Sequence, residues 1–148
     1  MRLAWIIREA TLEDADGLAK IMQSAYEPYQ DRMAGVRLPP MDVDYSSEIE
    51  NYPTWVVESE ASILGGLIMT FEAENASIAN IAVNPRFQGQ GIGGGLMKFA
   101  ETKAREKNFA ELHLTTHVLL KENVSWYRHL GWEEIDRDNT KVFMKKEI

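Results

Sequence analysis

A dense group of glycines is the feature of this sequence with the clearest chemical meaning. Residues 84–95 read NPRFQGQGIGGG, and the glycines are Gly89, Gly91, Gly93, Gly94 and Gly95. Because glycine has no Cβ atom, a ligand can come very close to the main-chain amides of this segment. Amides that precede a helix also lie at the positive end of its dipole and bind phosphate or diphosphate groups. A tight turn needs only one or two glycines, so we interpret the segment as an anion cradle.

The sequence on either side of the glycines indicates which class of phosphate ligand they bind. Gly89, Gly91 and Gly94 fit the GxGxxG spacing of dinucleotide-binding turns. In such folds the turn follows the first strand, and an acidic residue ends the next strand. Here several predicted strands precede the turn, and the next strand ends at Thr115-Thr116. No Gly-Lys-Ser/Thr triplet follows, which excludes a nucleotide-hydrolysing P-loop. A nucleotide or dinucleotide binder is kept as an alternative.

The elements that must position the cradle follow from hydrophobic periodicity and turn residues. A capping-box spacing of Thr11 and Asp14 predicts the start of the first helix. The pattern predicts strands at 3–9, 54–58, 63–71, 76–83, 111–116, 133–136 and 142–146, and helices from about 12–25, 45–51, 92–104 and 124–130, with an irregular segment at 26–40. This order predicts one mixed α/β (α+β) domain that spans residues 1–148.

Composition limits the remaining function classes. The 148-residue chain is 45% hydrophobic and 26% charged, which is typical of a folded protein. There is no cysteine, and the three histidines lack a metal-binding spacing, so we expect no metal site. The net charge of -7 argues against nucleic-acid or anionic-membrane partners. The apolar stretch near the amino terminus is too short for a signal peptide or a membrane span, so we expect a cytoplasmic protein. A monomer and a homodimer both stay open.

Two segments resemble one known family. IAVNPRFQGQGIGGGLMKFAE, residues 81–101, resembles the acetyl-coenzyme A signature of the GNAT N-acetyltransferases, in which Gln or Arg, two residues, Gly, one residue, and Gly or Ala follow a strand ending in Val-x-Pro. Gln88, Gly91 and Gly93 fill these positions. ENVSWYRHLGW, residues 122–132, resembles the family's later segment of Asn, a short helix with Tyr, and Leu-Gly-aromatic. Two motifs in the right order are more specific than either alone.

The resemblance implies a fold and a cofactor. The fold is the GNAT fold, with a central, mostly antiparallel twisted sheet of six to seven strands and about four helices. The cofactor is acetyl-coenzyme A, or coenzyme A after transfer, whose pantetheine arm lies like an extra strand against the central strand. The residues that the resemblance assigns to the cofactor are Ile81, Ala82, Val83, Gln88, Gly89, Gln90, Gly91, Ile92, Gly93, Gly94 and Asn123.

The same resemblance implies direct acetyl transfer to an amine. Tyr127 matches the family tyrosine that protonates the leaving sulfur, although it could equally be a core aromatic. The Val83 N–H would donate to the thioester oxygen. Asn123 would also serve as the N-cap of a helix that starts at Val124.

The general base is not identified from the sequence. Where many relatives carry Glu on the central strand, this chain has Asn80, which accepts no proton at neutral pH. Glu72, Glu74 and His117 are candidates by residue type only. An ordered water, or an amine that arrives neutral, would serve instead.

The acceptor is predicted to be a primary amine of a small molecule or peptide. Its candidate contacts are Tyr26, Tyr29, Arg32, Asn80 and His117. Two kinds of amine stay open, because the acidic residues of segment 25–45 suit a cationic amine, whereas Arg32 and Arg37 suit a carboxylate. A catalytically silent coenzyme A sensor or partner module is the alternative function, favoured by the missing glutamate at Asn80.

Overall fold

One sheet forms the frame of the molecule. The computed structural model describes residues 4–33, 35 and 37–148, and within them it has seven strands in a single sheet. They are β1 (Ile6–Glu9), β2 (Thr54–Ser59), β3 (Ser62–Phe71), β4 (Ala76–Val83), β5 (Glu111–His117), β6 (Glu133–Arg137) and β7 (Lys141–Glu147). The order across the sheet is β1-β2-β3-β4-β5-β7-β6, and only the β4–β5 pairing is parallel in the described chain. The predicted sheet of six to seven mostly antiparallel strands is confirmed.

Four α-helices cover the two faces of the sheet in the described part of the chain. They are α1 (Ala15–Tyr26), α2 (Tyr45–Asn51), α3 (Ile92–Glu106) and α4 (Lys121–His129), and short 3-10 helices occupy 12–14, 27–33, 39–41 and 85–87. The predicted fold class, including its four helices, is confirmed. Among the described residues, no helix is both long enough and apolar enough to cross a membrane.

Most element boundaries agree with the sequence predictions within a few residues. Residue 3 of the predicted first strand lies outside the described residues. Helix α4 begins at Lys121, three residues earlier than predicted, and Leu120 is its N-cap residue. The predicted N-cap role of Asn123 is therefore wrong. Asn123 lies in the first turn of the helix, where its amide donates to the Leu120 oxygen at 3.1 Å.

The two faces of the sheet are packed against different helices. Leu18, Ile21 and Met22 of α1 pack on one face with Val56, Ile68 and Ala82. On the other face, the apolar side of α3 packs with alternate residues of β2, β3 and β4, and α4 joins the same cluster. Because side chains alternate along a strand, neighbouring residues of β4 face different helices.

Strands β4 and β5 separate along their length. They pair only where Ala76–Ile78 lies beside Leu112–Leu114, and both strands then continue without each other. Ala79 is an extra residue in β4, because Ile68 pairs with Asn80 while Met69 pairs with Ile78. Such a bulge bends its strand away from a regular ladder. The result is a wedge-shaped gap beside the second half of β4.

Candidate active site

The glycine turn leaves main-chain donors free at the start of α3. Gly89 and Gly91 have φ angles of 83° and 84°, a region that residues with a Cβ atom rarely adopt. Gly91 is the N-cap of α3, and the first helical hydrogen bond runs from the Gly95 amide to the Gly91 oxygen at 2.9 Å. The three amides between them, of residues 92–94, therefore have no partner within the helix. These three N–H groups can hold an anion.

The glycine turn, the gap and α4 enclose a first cavity of about 390 Å³. Its lining comprises Ala25, Tyr26, Tyr29, Ile81, Ala82, Val83, Phe87, Gln88, Gly89, Gly91, Ile92, Gly93, Gly94, Asn123, Trp126 and Tyr127. Every predicted cofactor residue except Gln90 lines this cavity. Sequence reasoning missed three lining residues, Ala25, Phe87 and Trp126. For Trp126 a signal existed, because it precedes Tyr127 in the second motif.

The gap exposes hydrogen-bonding groups of β4. The Asn84 amide donates to the Leu64 oxygen of β3 at 2.8 Å, which fixes the direction of the groups before it. Main-chain groups alternate along a strand, so those of Ala82 also face β3 and those of Ile81 and Val83 face the gap. An extended ligand can therefore pair with this edge as an added strand does.

A second cavity of about 230 Å³ lies on the α1 side of the same gap. Its lining comprises Tyr26, Leu38, Pro39, Pro40, Val43, Ile78, Ala79, Asn80, Ile81, Leu114, Thr115, Thr116, His117, Leu120, Tyr127 and Lys141. Three residues, Tyr26, Ile81 and Tyr127, line both cavities, so the cavities meet there. Sequence reasoning missed Lys141, because only the pairing of Lys141 with His117 across β7 and β5 brings it here.

The residues predicted to contact the acceptor do not all line the same cavity. Tyr26, Asn80 and His117 line the second cavity, and Tyr29 lines the first. Arg32 lines neither cavity. Its guanidinium makes two hydrogen bonds of 2.7 Å to the carboxylate of Glu122 on α4.

Tyr127 lies where the cavities meet. It is 6% exposed, and its ring centroid is 5.4 Å from that of Trp126 and 6.1 Å from that of Trp132. Within the described chain its hydroxyl makes no hydrogen bond. Burial raises the pKa of Tyr127 far above its ordinary range, and Tyr26 adds to the rise. Tyr127 is therefore a neutral phenol that can donate a hydrogen bond but not act as a base.

Neither cavity contains an obvious general base. Glu72 and Glu74 lie in the turn between β3 and β4 and line neither cavity. His117 Nδ1 accepts a hydrogen bond from the Leu119 amide at 3.1 Å, so its neutral ring carries the proton on Nε2. Among the described lining residues of both cavities there is no Asp or Glu.

The open strand edge connects the anion cradle to the second cavity, so an extended ligand and a second molecule can meet there. Residues 16–132 match the model of the Acetyltransferase (GNAT) family. The chain belongs to this family of acetyltransferases, as the two sequence motifs predict.

Curated relatives of this chain are also named as acetyltransferases. The "Uncharacterized N-acetyltransferase YjgM" of Escherichia coli is 29% identical over 88% of this chain and 83% of its own length. The S-alkylcysteine N-acetyltransferase of Bacillus subtilis is 26% identical over 86% of this chain and 78% of its own. The amino-acid acetyltransferase of Pseudomonas putida is 29% identical over 86% of this chain, which spans only 27% of that relative's length.

Solved structures share the fold at low sequence identity. The PaiA N-acetyltransferase from Thermoplasma acidophilum, in complex with coenzyme A, has a TM-score of 0.84 and 18% identity, covering 99% of this chain and 100% of its own. A GNAT family acetyltransferase from Elizabethkingia anophelis with acetyl-CoA bound has a TM-score of 0.69 and 19% identity, covering 97% of this chain and 98% of its own. The predicted acetyl-coenzyme A cofactor agrees with the ligands of these neighbours.

Proposed function

We propose that this protein transfers an acetyl group from acetyl-coenzyme A directly to a primary amine of a small molecule or peptide. The observation that carries the proposal is the junction of two cavities at the open edge of β4. The first cavity receives the coenzyme, and the second receives the amine. Transfer without a covalent enzyme intermediate requires both substrates to meet, and Ile81 and Tyr127 line the meeting point.

The first cavity fits the coenzyme in shape and charge. Three unpartnered amides at the start of α3 suit a diphosphate, and Arg86 on the preceding turn adds positive charge. The turn has no spare room for a side chain at Gly93, where a Cβ atom would lie 3.1 Å from Trp126 Cζ2. The gap-facing groups of Ile81 and Val83 suit an extended arm with amide groups.

Bound acetyl-coenzyme A supplies an acetyl group activated as a thioester. The Val83 N–H faces the gap and donates a hydrogen bond to the acyl oxygen, where negative charge develops during transfer. Tyr127 Oη is the proposed general acid for the leaving sulfur, to which it donates a hydrogen bond. An ordinary thiol has a pKa of about 8.5, below that of a phenol, so Tyr127 still carries the proton it needs at any pH at which a free thiol ionises. The raised pKa of Tyr127 makes it a weak acid that acts chiefly through a hydrogen bond to the sulfur.

The amine must lose its proton without a carboxylate from the lining residues. Asn80 occupies the position of the family's glutamate, and the hydrogen bond to His117 Nδ1 occupies the basic nitrogen of that ring. We propose that the amine releases its proton to solvent, directly or through an ordered water.

The test combines turnover with binding. Free thiol released from acetyl-coenzyme A is measured across a panel of amines and short peptides, and coenzyme A binding is measured by calorimetry. Amine-dependent thiol release supports the proposal. No turnover of any amine together with no coenzyme binding contradicts it.

A coenzyme A sensor or partner module is the second candidate function. It is favoured because the described lining of the second cavity has no acidic residue. Asn80, which lines this cavity, stands where many family members carry a glutamate. Tight coenzyme A binding without turnover of any amine would support it. Stabilisation by NAD or ATP but not by coenzyme A would favour a nucleotide binder instead.

A further inference from the structure

Among the described residues, the lining of the second cavity has a cationic side chain and no carboxylate. Among its described lining residues, Lys141 is the side chain that carries a full charge at neutral pH. Asp42 and Asp44 flank the lining residue Val43 but do not line the cavity themselves; Asp42 binds Arg37 at 2.8 Å, and Asp44 accepts the amides of Ser46 and Ser47 at the start of α2. The acidic segment therefore offers this cavity no charge that would bind a polycationic amine.

The polar residues of this cavity share one face of the sheet. His117 and Lys141 are directly paired across β5 and β7, which places their side chains side by side on one face. Leu112 and Leu114 belong to the α3-side core, so alternation directs Thr115 and His117 to the α1 side. Asn80 lies on that side of β4 too, because it is two residues from Ala82, which packs with α1. His117 and the exposed Lys141 thus border the cavity together on this face of the sheet, which we call its floor.

Lys141 makes no direct contact with a carboxylate of the described chain. In the described ranges its ammonium forms no ion pair, whereas Lys145 and Lys146 of the same strand bind Glu111 and Glu101. The nearby Asp138 carboxylate accepts the amides of Thr140 and Lys141 and interacts electrostatically with Lys141, without a direct ion pair. Arg32 and Arg37, the sequence candidates for a carboxylate contact, are both engaged by carboxylates of this chain.

Part of the cavity lining is apolar. Leu38, Pro39, Pro40 and Val43 form this wall between α1 and α2. A ligand that fills the cavity must therefore offer an anion to the floor and an apolar group to this wall, and its amine must reach Tyr127.

We propose that the second cavity selects amines that carry a carboxylate, namely free amino acids with an apolar side chain, and that Lys141 determines this specificity. The inference rests on the proposed acetyl transfer. Lys141 holds the carboxylate, and the Nε2–H of His117 adds a hydrogen bond. The amino group then lies toward the junction with the first cavity, and the side chain packs on the Leu38–Pro40 wall.

The test compares leucine, leucinamide and isopentylamine as acceptors, since these share an apolar side chain and differ in the carboxylate. For the wild-type protein we expect kcat/KM, expressed per neutral amine because the three amines differ in pKa, to be about tenfold higher for leucine than for the other two, the size of one charge-assisted hydrogen bond. Lys141→Gln should remove this preference through KM, with kcat little changed, and Lys141→Glu should reverse it. Lys145→Gln is the matched control, because Lys145 is on the same strand, outside the cavity, and should leave the preference intact.

A binding measurement separates this inference from the proposed function. Calorimetric titration of N-acetyl-leucine in the presence of coenzyme A should show binding that Lys141→Gln weakens by about tenfold. Turnover of amines with no preference for leucine, a better peptide acceptor, or a preference that survives Lys141→Gln overturns the inference and leaves acetyl transfer standing. If no amine is acetylated, Lys141-dependent binding of N-acetyl-leucine still supports the carboxylate site, and its absence overturns it.

Discussion

The hydroxyl of Tyr26 donates a hydrogen bond to the main-chain oxygen of Ile81 across 3.4 Å, at the point where the two cavities meet. Tyr26 is the last residue of α1, so this contact ties the helix to the open edge of β4. Burial raises the pKa of Tyr26 to about 12, with a smaller contribution from Tyr29, and the phenol remains a donor at any working pH. Tyr26 thus covers an acceptor that an extended ligand would use.

We expect Tyr26→Phe to bind coenzyme A about two- to threefold more tightly. A hydrogen bond as long as 3.4 Å is worth only a few tenths of a kcal/mol, and its loss frees the Ile81 oxygen for the pantetheine arm. Calorimetry measures the change, and Tyr52→Phe, at an exposed tyrosine outside both cavities, is the control. Weaker binding by Tyr26→Phe would show instead that its hydroxyl holds the coenzyme.

Substituting glycines of α3 should change the free energy of unfolding and the coenzyme A affinity in different directions. A Cβ atom at Gly94 would meet nothing within 4 Å, so Gly94→Ala should raise the free energy of unfolding by about 0.5–1 kcal/mol through helix propensity. Its methyl group would enter the cradle, and we expect coenzyme A affinity to fall by about tenfold or more. Thermal unfolding and calorimetry measure the two effects. Unchanged affinity would remove Gly94 from the cradle.

Gly95→Ala is the control for this pair of effects. A Cβ atom at Gly95 would lie 2.6 Å from Trp5 Cη2, on the side of α3 away from the cradle, and Gly95 does not line the first cavity. We expect lower stability with coenzyme affinity retained in the folded protein.

The fold was predictable because its signals are local. The alternation and turn residues around β2, β3 and β4, and the apolar stripe of α3, each lie within about a dozen residues. The start of α4 was misplaced because Asn123 is a good N-cap residue by type, whereas the chain starts its helix at Lys121 instead. Residue propensities do not include tertiary contacts. Leu120, the N-cap of α4, is held in place by packing with Met33 and Leu38.

The site was only partly predictable, because one half of it is local and the other half is not. The cradle lies in one continuous motif, so the sequence alone predicts nearly all of its residues. The second cavity brings residues 39–40, in a short 3-10 helix, together with residues of β4, β5 and β7. Lys141 reaches it only because it pairs with His117 across β7 and β5. Sequence alone also gave no reason to pair Arg32 with Glu122, which lies 90 residues away.

We expect the pH dependence of turnover to follow the pKa of the amine. Without a carboxylate among the described lining residues, the fraction of neutral amine limits the rate below that pKa. The rate should then rise about tenfold per pH unit, ending near 7.7–8.0 for the α-amino group of a peptide and near 10.4 for a lysine-type amine. Initial rates with two such amines measure this, and His117→Gln should leave the curves in place. One common curve for both amines would indicate an enzymatic base.

Asp14 should stabilise the protein in a pH-dependent manner. It is 7% exposed, and its carboxylate accepts two hydrogen bonds from Arg8, of 2.8 and 2.9 Å, and one of 2.8 Å from the Thr11 amide. The Arg8 hydrogen bonds lower the pKa of Asp14, burial opposes them, and Thr11 lowers it further. A lowered native pKa stabilises the fold fully above the unfolded value of about 3.9, and this stabilisation is lost as the pH falls through the native pKa.

We therefore expect Asp14→Asn to lose about 1–3 kcal/mol of unfolding free energy at neutral pH and to differ less from wild type in acid. Urea unfolding across this pH range measures the difference, and the exposed neighbour Glu13 provides the control variant Glu13→Gln. A difference that stays constant with pH would show that the carboxylate charge is not responsible.

Tyr127→Phe should separate catalysis from binding and folding. The hydroxyl has no hydrogen-bond partner among the described residues, so its removal should leave the fold intact and keep coenzyme A affinity within about twofold. If Tyr127 Oη protonates the leaving sulfur, turnover should fall by about a hundredfold. Because the pKa of Tyr127 is raised, the wild-type rate should show no decline from its ionisation up to pH 10. Steady-state thiol release and calorimetry measure these effects, with the exposed Tyr52→Phe as the control. Turnover equal to wild type would make Tyr127 a core aromatic that closes the junction of the cavities without taking part in the reaction.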